Sequence, residues 1–353
     1  MQMECKARLN SGSLSAPCNT NSGGEPKHQP PRLHMPAMVK EVIEYLGCSR
    51  KPDGVFVDMT VGTGGHAEAI LRAAPNATLI GIDRDEASLE VASERLAEFS
   101  GRVVLIHGDM RDVQRLLRLC GIESVDGCLI DPGMSLWQVD QERGFSFRIP
   151  AELDMRYDRA QKLTAKDIVN SVSFEELVNM LKAAGERRKK ARAIAQAVVE
   201  ARAKNPIETT EQLAAIIAEA IKPKGWQRIH PATKAFMALR IAVNEEADAL
   251  EQGIRAALHV LRVGGRIVVL TYQSIEDRIV KRLFEAYSQL TPTNLPSPFP
   301  PLPMVSGAVR VRVLTPKPLR PSRHEIKINR CARGCKLRAA ERVDDGVQPS
   351  CSQ

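Results

Sequence analysis

Three aspartates are the residues of this sequence best placed to do chemistry. Asp58, Asp83 and Asp131 each end a short apolar run that is typical of a buried strand. In a parallel sheet the carboxyl ends of the strands share one rim, and ligands bind along that rim. We therefore predict that the three carboxylates lie together, since solvated loop positions explain this pattern poorly.

A glycine-rich turn follows the first of these runs. Gly62, Gly64 and Gly65 precede the segment His66–Ala74, which is predicted to be a helix. Glycines let a ligand approach the backbone, and a helix N-terminus offers unpaired N–H groups. Asp83 is then placed to accept hydrogen bonds from ribose hydroxyls. The pattern predicts a nucleotide-like ligand.

Two ligands fit this turn. The spacing Gly62-x-Gly64-x-x-Ala67, with Asp83 about 20 residues further on, also matches the dinucleotide fingerprint of NAD enzymes. Asp58 favours S-adenosylmethionine, because its carboxylate could meet the amino group of that ligand. His66 favours it as well, since a bulky ring stands where a pyrophosphate needs room.

The elements around these residues alternate between strand and helix. After Asp83 the patterns predict a helix over 85–99, a strand over 103–108, a helix over 113–119 and a strand over 125–131. The segment 164–221 is helical throughout, and a strand over 266–272 returns to the sheet. This order predicts an α/β fold, a doubly wound and mostly parallel sheet with an inserted helical domain.

The predicted domains follow from this order. Residues 1–33 are rich in Ser, Asn, Gly and Pro and are predicted to be disordered. Residues 34–140 and 230–345 would form the sheet domain, and 141–229 the inserted helical substrate domain. Residues 291–353 include a Pro-rich linker and a basic C-terminal tail, in which Val309–Val313 alternates like an edge strand.

Composition excludes several classes of protein. The 353 residues contain no apolar run near the ~20 residues of a membrane span. Eight scattered cysteines indicate a reducing compartment rather than a disulfide framework. Cys331 and Cys335 are too few for a tetrahedral zinc site, so no metal is expected.

Positive charge is concentrated near the C-terminus. The net charge is +8, and residues 310–342 carry eleven Lys or Arg against Glu325 and Glu341. We expect a polyanion to bind there, with a merely solvated tail as the alternative. The basic run 186–192 in the helical insertion is equally consistent with phosphate contacts and with a solvated helix face.

Taken together, these motifs resemble the bacterial small-subunit ribosomal RNA methyltransferase H family and its mitochondrial relatives. The resemblance runs from His34 to about Arg342. It is carried by the turn from Asp58 to His66 and by Asp83-Arg84-Asp85, Arg143-Gly144-Phe145-Ser146-Phe147, Leu153-Asp154-Met155-Arg156, His230-Pro231-Ala232-Thr233-Lys234, Glu276-Asp277-Arg278 and Lys336–Arg342.

The resemblance implies a fold of the S-adenosylmethionine-dependent methyltransferase type, S-adenosylmethionine as cofactor and N4 methylation of a cytidine in 16S-type rRNA. It places the cofactor contacts on seven residues: Gly64, Gly65, His66, Asp83, Met110, Asp131 and Gln138. Asp131 is also the candidate catalytic residue, because Asp131-Pro132-Gly133 is similar to the amine-orienting Asp-Pro-Pro-aromatic loop of other amino-methyltransferases. Trp137 would stack on a flipped base or simply pack.

The expected partner is small-subunit rRNA within the 30S subunit, with no membrane association and with a homodimer left open. The expected location is the cytoplasm, with a mitochondrial or other organelle matrix as the alternative. The loops 132–137 and 272–274 depart from the family pattern, and Met110 stands where an aromatic is usual. A divergent paralogue, a catalytically weak assembly factor and, less favoured, an NAD-dependent oxidoreductase therefore stay open.

Overall fold

The computed structural model describes residues 35–222, 230–288 and 309–344. The predicted disordered segment 1–33 and the Pro-rich stretch 291–303 lie outside these ranges. Within them, no helix is both long enough and apolar enough to cross a membrane.

One seven-stranded sheet forms the body of the molecule. Its strands are β1 (Val55–Asp58), β2 (Thr78–Asp83), β3 (Val103–His107), β4 (Val125–Ile130), β5 (Leu261–Thr271), β6 (Arg310–Val313) and β7 (Lys336–Val343). The spatial order is β3-β2-β1-β4-β5-β7-β6. The first five strands pair in parallel, while β7 runs antiparallel to both of its neighbours. The predicted mostly parallel sheet is confirmed.

Helices cover both faces of this sheet. They are α1 (Val39–Leu46), α2 (Gly65–Ala73), α3 (Glu86–Arg95), α4 (Val113–Leu119), α11 (Glu246–Val260) and α12 (Ser274–Ser288), with the short α13 (Arg323–Ile328) before β7. Successive strand residues point to opposite faces. Val57 and Ile80 accordingly pack with α4, α11 and α12, whereas Phe56 and Leu79 pack with α1, α2 and α3. The sheet is doubly wound, as predicted.

Between β4 and β5 the chain forms a helical region. It contains α5 (Leu136–Val139), α6 (Ala165–Ser171), α7 (Phe174–Ala183), α8 (Arg188–Arg202), α9 (Thr210–Ile221) and α10 (Thr233–Val243). Capping boxes at Thr164, Ser173 and Thr209 fix the starts of α6, α7 and α9. These helices bury an apolar core of their own, which includes Phe236 and Leu239 of α10. We therefore propose that the helical domain extends to Val243 rather than ending at 229.

The C-terminal segment differs most from the expectation. The prediction of an edge strand over 309–313 is confirmed by β6. The prediction of a basic tail is wrong for 336–343, because β7 lies inside the sheet. Two of its three cations are neutralised at that position: Lys336 and Arg338 both pair with Asp277, at 2.9 and 2.7 Å.

Candidate functional site

A cavity of about 460 Å³ opens at the carboxyl ends of the parallel strands. Its size falls within the ~300–1,000 Å³ of small-molecule sites. One side, here called the sheet wall, is formed by residues of the strand ends and their loops, including Thr60, Gly62, Gly65, His66, Asp83, Met110, Asp131 and Gln138. The other side, here called the helical wall, is formed by Tyr157, Met237, Arg240, Asn244 and Glu246.

The glycine turn is held to the second strand by Asp83. Gly62 N–H donates to Asp83 Oδ2 at 2.7 Å, and Asp85 N–H donates to Oδ1 at 2.9 Å. Gly62 adopts a φ of +51°, a conformation that favours glycine. Burial raises the pKa of Asp83 to about 6. Each carboxylate oxygen keeps a lone pair, so Asp83 can still accept a hydrogen bond from a ligand hydroxyl in the cavity.

The two following glycines are placed differently. Gly65 opens helix α2 and lines the cavity, and an added Cβ there would lie 3.1 Å from Pro36. Gly64 does not line the cavity. Its φ of +81° and the closeness of Leu96, 3.3 Å from an added Cβ, give it a structural reason to be glycine. A contact between Gly64 and a cofactor stays a prediction.

Asp58 lies behind the sheet wall rather than in it. The residue is 1% exposed and does not line the cavity, so its contact with a ligand's amino group stays a prediction that this position does not support. Its Oδ1 accepts from Thr60 N–H at 3.1 Å, and Thr60 Oγ1 in turn accepts from Asp131 N–H at 2.7 Å. Burial raises the pKa of Asp58 to about 7. Asp58 therefore fixes the loop that positions Asp131.

Asp131 meets the imidazole of His66 inside the cavity. His66 Nε2 lies 3.4 Å from Asp131 Oδ2, and both side chains are largely buried. Neither His66 ring nitrogen nor Asp131 Oδ1 has another hydrogen-bond partner among the described residues. Burial, together with the Asp131 carboxylate, raises the pKa of Tyr272, so its phenol is neutral. Asp131 thus keeps acceptor capacity for a ligand.

No Lys or Arg neutralises this group of acids. Across the described residues, Asp58, Asp83 and Asp131 form no ion pair with a Lys or Arg side chain; their one ion-pair contact is His66 with Asp131. A carboxylate-lined site of this kind favours a cation and disfavours the pyrophosphate of a dinucleotide. The sulfonium and ammonium groups of S-adenosylmethionine supply such positive charge. The described residues also contain no group of three His, Cys, Asp or Glu that could hold a metal.

Met110 forms an apolar part of the sheet wall. Its side chain packs against α11 at Gly253, where an added Cβ would come within 2.7 Å of Met110 Cγ. Close approach of the thioether therefore requires glycine at this position. An apolar, polarisable surface of this kind suits a flat ring such as adenine.

Gln138 lines the cavity, but its amide is committed to the protein. Its Nε2 donates to Asp85 Oδ2 at 2.6 Å, and its Oε1 accepts from Ser135 N–H at 2.8 Å. Arg143 pairs with the same Asp85 oxygen at 2.6 Å. Asp85, predicted as a helix cap, holds the N-cap position of α3, but its side chain makes no capping bond to the helix backbone. These contacts indicate that Gln138 shapes the loop 131–138 more than it offers a free amide.

Sequence reasoning missed the helical wall. Arg240 Nε and Nη2 donate to the two oxygens of Glu246, at 2.8 and 3.0 Å, and Tyr157 Oη donates to Glu246 Oε1 at 3.0 Å. Asn244 accepts from Tyr157 N–H at 2.9 Å. Tyr157 is more than eighty residues from these partners in the sequence, so no local spacing predicts the cluster. The one available signal was the segment Ala238-Leu239-Arg240-Ile241, which also shares the family resemblance.

The loops that depart from the family pattern also reach the cavity. Leu136 and Gln273 of these loops line it, whereas Trp137 does not. Trp137 belongs to α5 and is half-buried. Of the two alternatives for this indole, stacking on a base or packing, its place outside the cavity favours packing.

The sequence was also compared with known proteins. The family model described as the MraW methylase family matches residues 32–343. The "Ribosomal RNA small subunit methyltransferase H" of Geobacter sulfurreducens is 47% identical over 315 residues, covering 88% of this chain and 99% of the relative. That of Thermobifida fusca is 45% identical, covering 90% and 96%. A solved rRNA methylase from Streptococcus thermophilus aligns over 87% of this chain and 94% of its own, at 11% identity and a TM-score of 0.38.

Proposed function

This chain belongs to the MraW methylase family and is a methyltransferase that uses S-adenosylmethionine, and we propose that it methylates the N4 amino group of a cytidine in small-subunit (16S-type) ribosomal RNA. The names of the relatives support small-subunit ribosomal RNA as the substrate. One observation carries the chemistry: the carboxylate of Asp131 faces the cavity among acids that have no Lys or Arg partner. We propose that the seven predicted residues form the cofactor site. Gln138 and Gly64 would act there through the shape of the loops, and the other five residues would contact the cofactor directly.

The reaction requires an amine to be held and relieved of a proton. When bound, the cofactor supplies an electrophilic methyl group on sulfur; the S–C bond breaks, sulfur keeps the electron pair, and an N–C bond forms at N4. The cytosine amine is a weak nucleophile because its lone pair is delocalised into the ring. Asp131 accepts a hydrogen bond from N4–H, which favours the localised lone pair and orients it. The same carboxylate then receives the departing proton.

His66 offers the next position for that proton. Its Nε2 lies 3.4 Å from Asp131 Oδ2, and its ring has no other hydrogen-bond partner among the described residues. An imidazole beside a carboxylate can accept a proton from it through their contact. His66 would therefore restore Asp131 to its charged form after each transfer.

The target base must leave its stack to reach Asp131. A cytidine in looped or single-stranded RNA meets this demand at the lowest cost. The room between the sheet wall and the helical wall would accommodate it beside the cofactor. The partner is the small ribosomal subunit, and the compartment is that of the ribosome, either cytoplasm or an organelle matrix.

A second function, that of a divergent paralogue or catalytically weak assembly factor, is favoured by one observation. Gln273, in a loop that departs from the family pattern, lines the cavity. A changed side chain there alters the reading of the target base without disturbing Asp83 or the glycine turn. Turnover on RNA separates this function from the first.

The proposal is tested with Asp131→Asn. The amide keeps size and shape but lacks the second acceptor oxygen and cannot take a proton. Single-turnover methyl transfer to 30S subunits, at saturating cofactor, should slow by ~10²–10³-fold, as for loss of one preorganised polar contact. RNA affinity should change little. A wild-type rate in the variant would assign Asp131 a structural role.

The product is identified by mass spectrometry of rRNA nucleosides. Subunits from cells lacking the protein should lose N4-methylated cytidine at one position and regain it with the purified wild-type enzyme. If the wild-type protein binds RNA but methylates no cytidine, the assembly-factor function takes precedence.

A further inference from the structure

The connection between β6 and β7 carries exposed cations that no acidic side chain neutralises among the residues the structure describes. Six Lys and Arg side chains of residues 314–335 are exposed, and none forms an ion pair within the described ranges: Lys317, Arg320, Arg323, Lys327, Arg330 and Arg333. The nearby Glu325 is occupied, because its Oε1 accepts from Met38 N–H at 2.6 Å. We call these six side chains the C-terminal cationic surface.

This surface reaches the mouth of the cavity. Cys331 lines the cavity, directly after Arg330 and two residues before Arg333. Asn329 Nδ2 donates to Met35 O at 2.9 Å, which ties the segment to the chain just before Pro36, another lining residue. The C-terminal cationic surface therefore adjoins the sheet side of the opening.

A second cationic surface lies on the helical region. Lys182, Arg187, Arg188 and Lys189, around the turn between α7 and α8, are exposed and form no ion pair in the part of the chain that the structure describes. Cations in the first turn of α8 interact unfavourably with the helix dipole and repel one another. They therefore destabilise the helix when no anion is bound. We call these four side chains the helical cationic surface.

Helix α10 links this second surface to the cavity. Lys234 Nζ donates to Gly185 O at 2.6 Å, which fixes the α7–α8 turn against the start of α10. Met237 and Arg240, one and two turns further along α10, line the cavity. At ~1.5 Å per residue, these lining residues begin ~4.5 Å along the helix from Lys234. The helical cationic surface therefore lies beside the opposite wall.

We propose that one single-stranded RNA segment crosses the mouth of the cavity, with phosphates bound by both cationic surfaces and the target base inserted between them. The proposal rests on the proposed function for the nature of the base. Unpaired Lys and Arg on a surface bind the phosphate backbone without reading sequence. Holding the backbone on both sides of one nucleotide favours its extrusion, because the flanking phosphates are fixed while the base turns inward.

The test compares three matched triple variants. The first is Arg323→Gln with Lys327→Gln and Arg330→Gln; the second is Arg187→Gln with Arg188→Gln and Lys189→Gln. The control is Arg50→Gln with Arg118→Gln and Lys204→Gln, three exposed cations that line no part of the cavity. Affinity for a fluorescently labelled single-stranded RNA containing one cytidine is measured over about 50–200 mM salt.

Each surface should contribute separately to the salt dependence. Loss of three contacts should reduce the slope of log K against log salt by about 2, at ~0.7 per phosphate, for either surface variant. Combining both should reduce it by about twice as much, and the control should retain the wild-type slope. If only one surface variant changes the slope, or if the control changes it equally, the two-sided path is wrong.

Failure of this path and failure of the proposed function give different results. An enzyme that methylates cytidine normally, but whose salt slope is unchanged in both surface variants, overturns the path alone. Reduced slopes in both variants, in a protein that methylates no cytidine, support the path and overturn the reaction.

Discussion

The two walls of the cavity hold buried carboxylates in opposite ways. On the helical wall, Glu246 is neutralised by Arg240 through two hydrogen bonds and receives a third from Tyr157. On the sheet wall, Asp83 is held by two backbone N–H groups, and the Asp131 carboxylate lies beside His66 and the neutral phenol of Tyr272, without a Lys or Arg partner among the described residues. One wall is electrostatically complete, whereas the other leaves its negative charge for a ligand to balance.

This difference separates structure from binding. A completed ion pair fixes the position of α10 against the start of α11 whether or not a ligand is present. Uncompensated carboxylates cost stability in the empty protein and recover it when a cation binds. We therefore expect changes in the helical wall to affect mainly folding, and changes in the sheet wall to affect mainly cofactor affinity.

The largest effect is expected for Glu246→Gln. This change leaves the Arg240 guanidinium largely buried without a carboxylate, and breaking a buried pair costs ~3–5 kcal/mol. Because both side chains retain about a tenth of their exposure, a loss near ~3 kcal/mol in the free energy of unfolding is expected. Denaturant unfolding followed by circular dichroism measures it.

The neighbouring Glu245 provides the control. Its side chain is 57% exposed and pairs with Arg111 at 2.8 Å. Surface ion pairs contribute ~0–1 kcal/mol, so Glu245→Gln should be nearly silent. Equal losses for the two variants would show that the helical wall is not held by its buried pair.

Asp83→Ala is expected to have the second largest effect, and it is measured on binding. Because the change also removes the acceptor of the Gly62 and Asp85 N–H groups, denaturant unfolding of the variant is measured beside its affinity. It removes an acceptor for ligand hydroxyls and part of the negative charge of the sheet wall. Hydrogen bonds to a charged group contribute ~1.5–3 kcal/mol, so calorimetry should show S-adenosylmethionine binding weakened by ~10–150-fold. Asp53→Ala, at an exposed loop carboxylate that accepts from Asn76 Nδ2 and does not line the cavity, is the control. Unchanged affinity in the Asp83 variant would place the ribose elsewhere.

The same contrast explains what the sequence could predict. Gly62, Asp83 and Asp131 belong to local units of strand, turn and helix, whose spacing alone places them at one rim. The Arg240–Glu246–Tyr157 cluster depends on contacts across the helical insertion, which periodicity does not encode. Strand β7 was missed for a related reason. Its charged side chains suggest a solvent-exposed segment. In the folded sheet, however, Lys336 and Arg338 pair with Asp277, and Glu341 pairs with Arg266 of β5. The fold brings these partners together, so the sequence alone does not show them.

Asp58 provides the smallest and most specific test of the sheet wall. Its unfolded carboxyl ionises near pH ~3.9, while burial raises its folded pKa to about 7. Between these values the native state binds more protons than the unfolded state, so the free energy of unfolding contributed by Asp58 falls as pH rises. One such group gives a slope of at most ~1.4 kcal/mol per pH unit.

Asp58→Asn removes this titration while its amide oxygen can still accept from Thr60 N–H. The variant should lose stability less steeply than the wild type between about pH 4 and 7. It should therefore match or exceed wild-type stability at pH 7, even if it is weaker at pH 5. Denaturant unfolding at several pH values measures both slopes, and adding S-adenosylmethionine should reduce their difference, since a bound cation favours ionised acids at this rim. Parallel slopes for the two proteins without ligand would mean that Asp58 is ionised throughout. The sheet wall would then have a compensating charge, and its contrast with the helical wall would disappear.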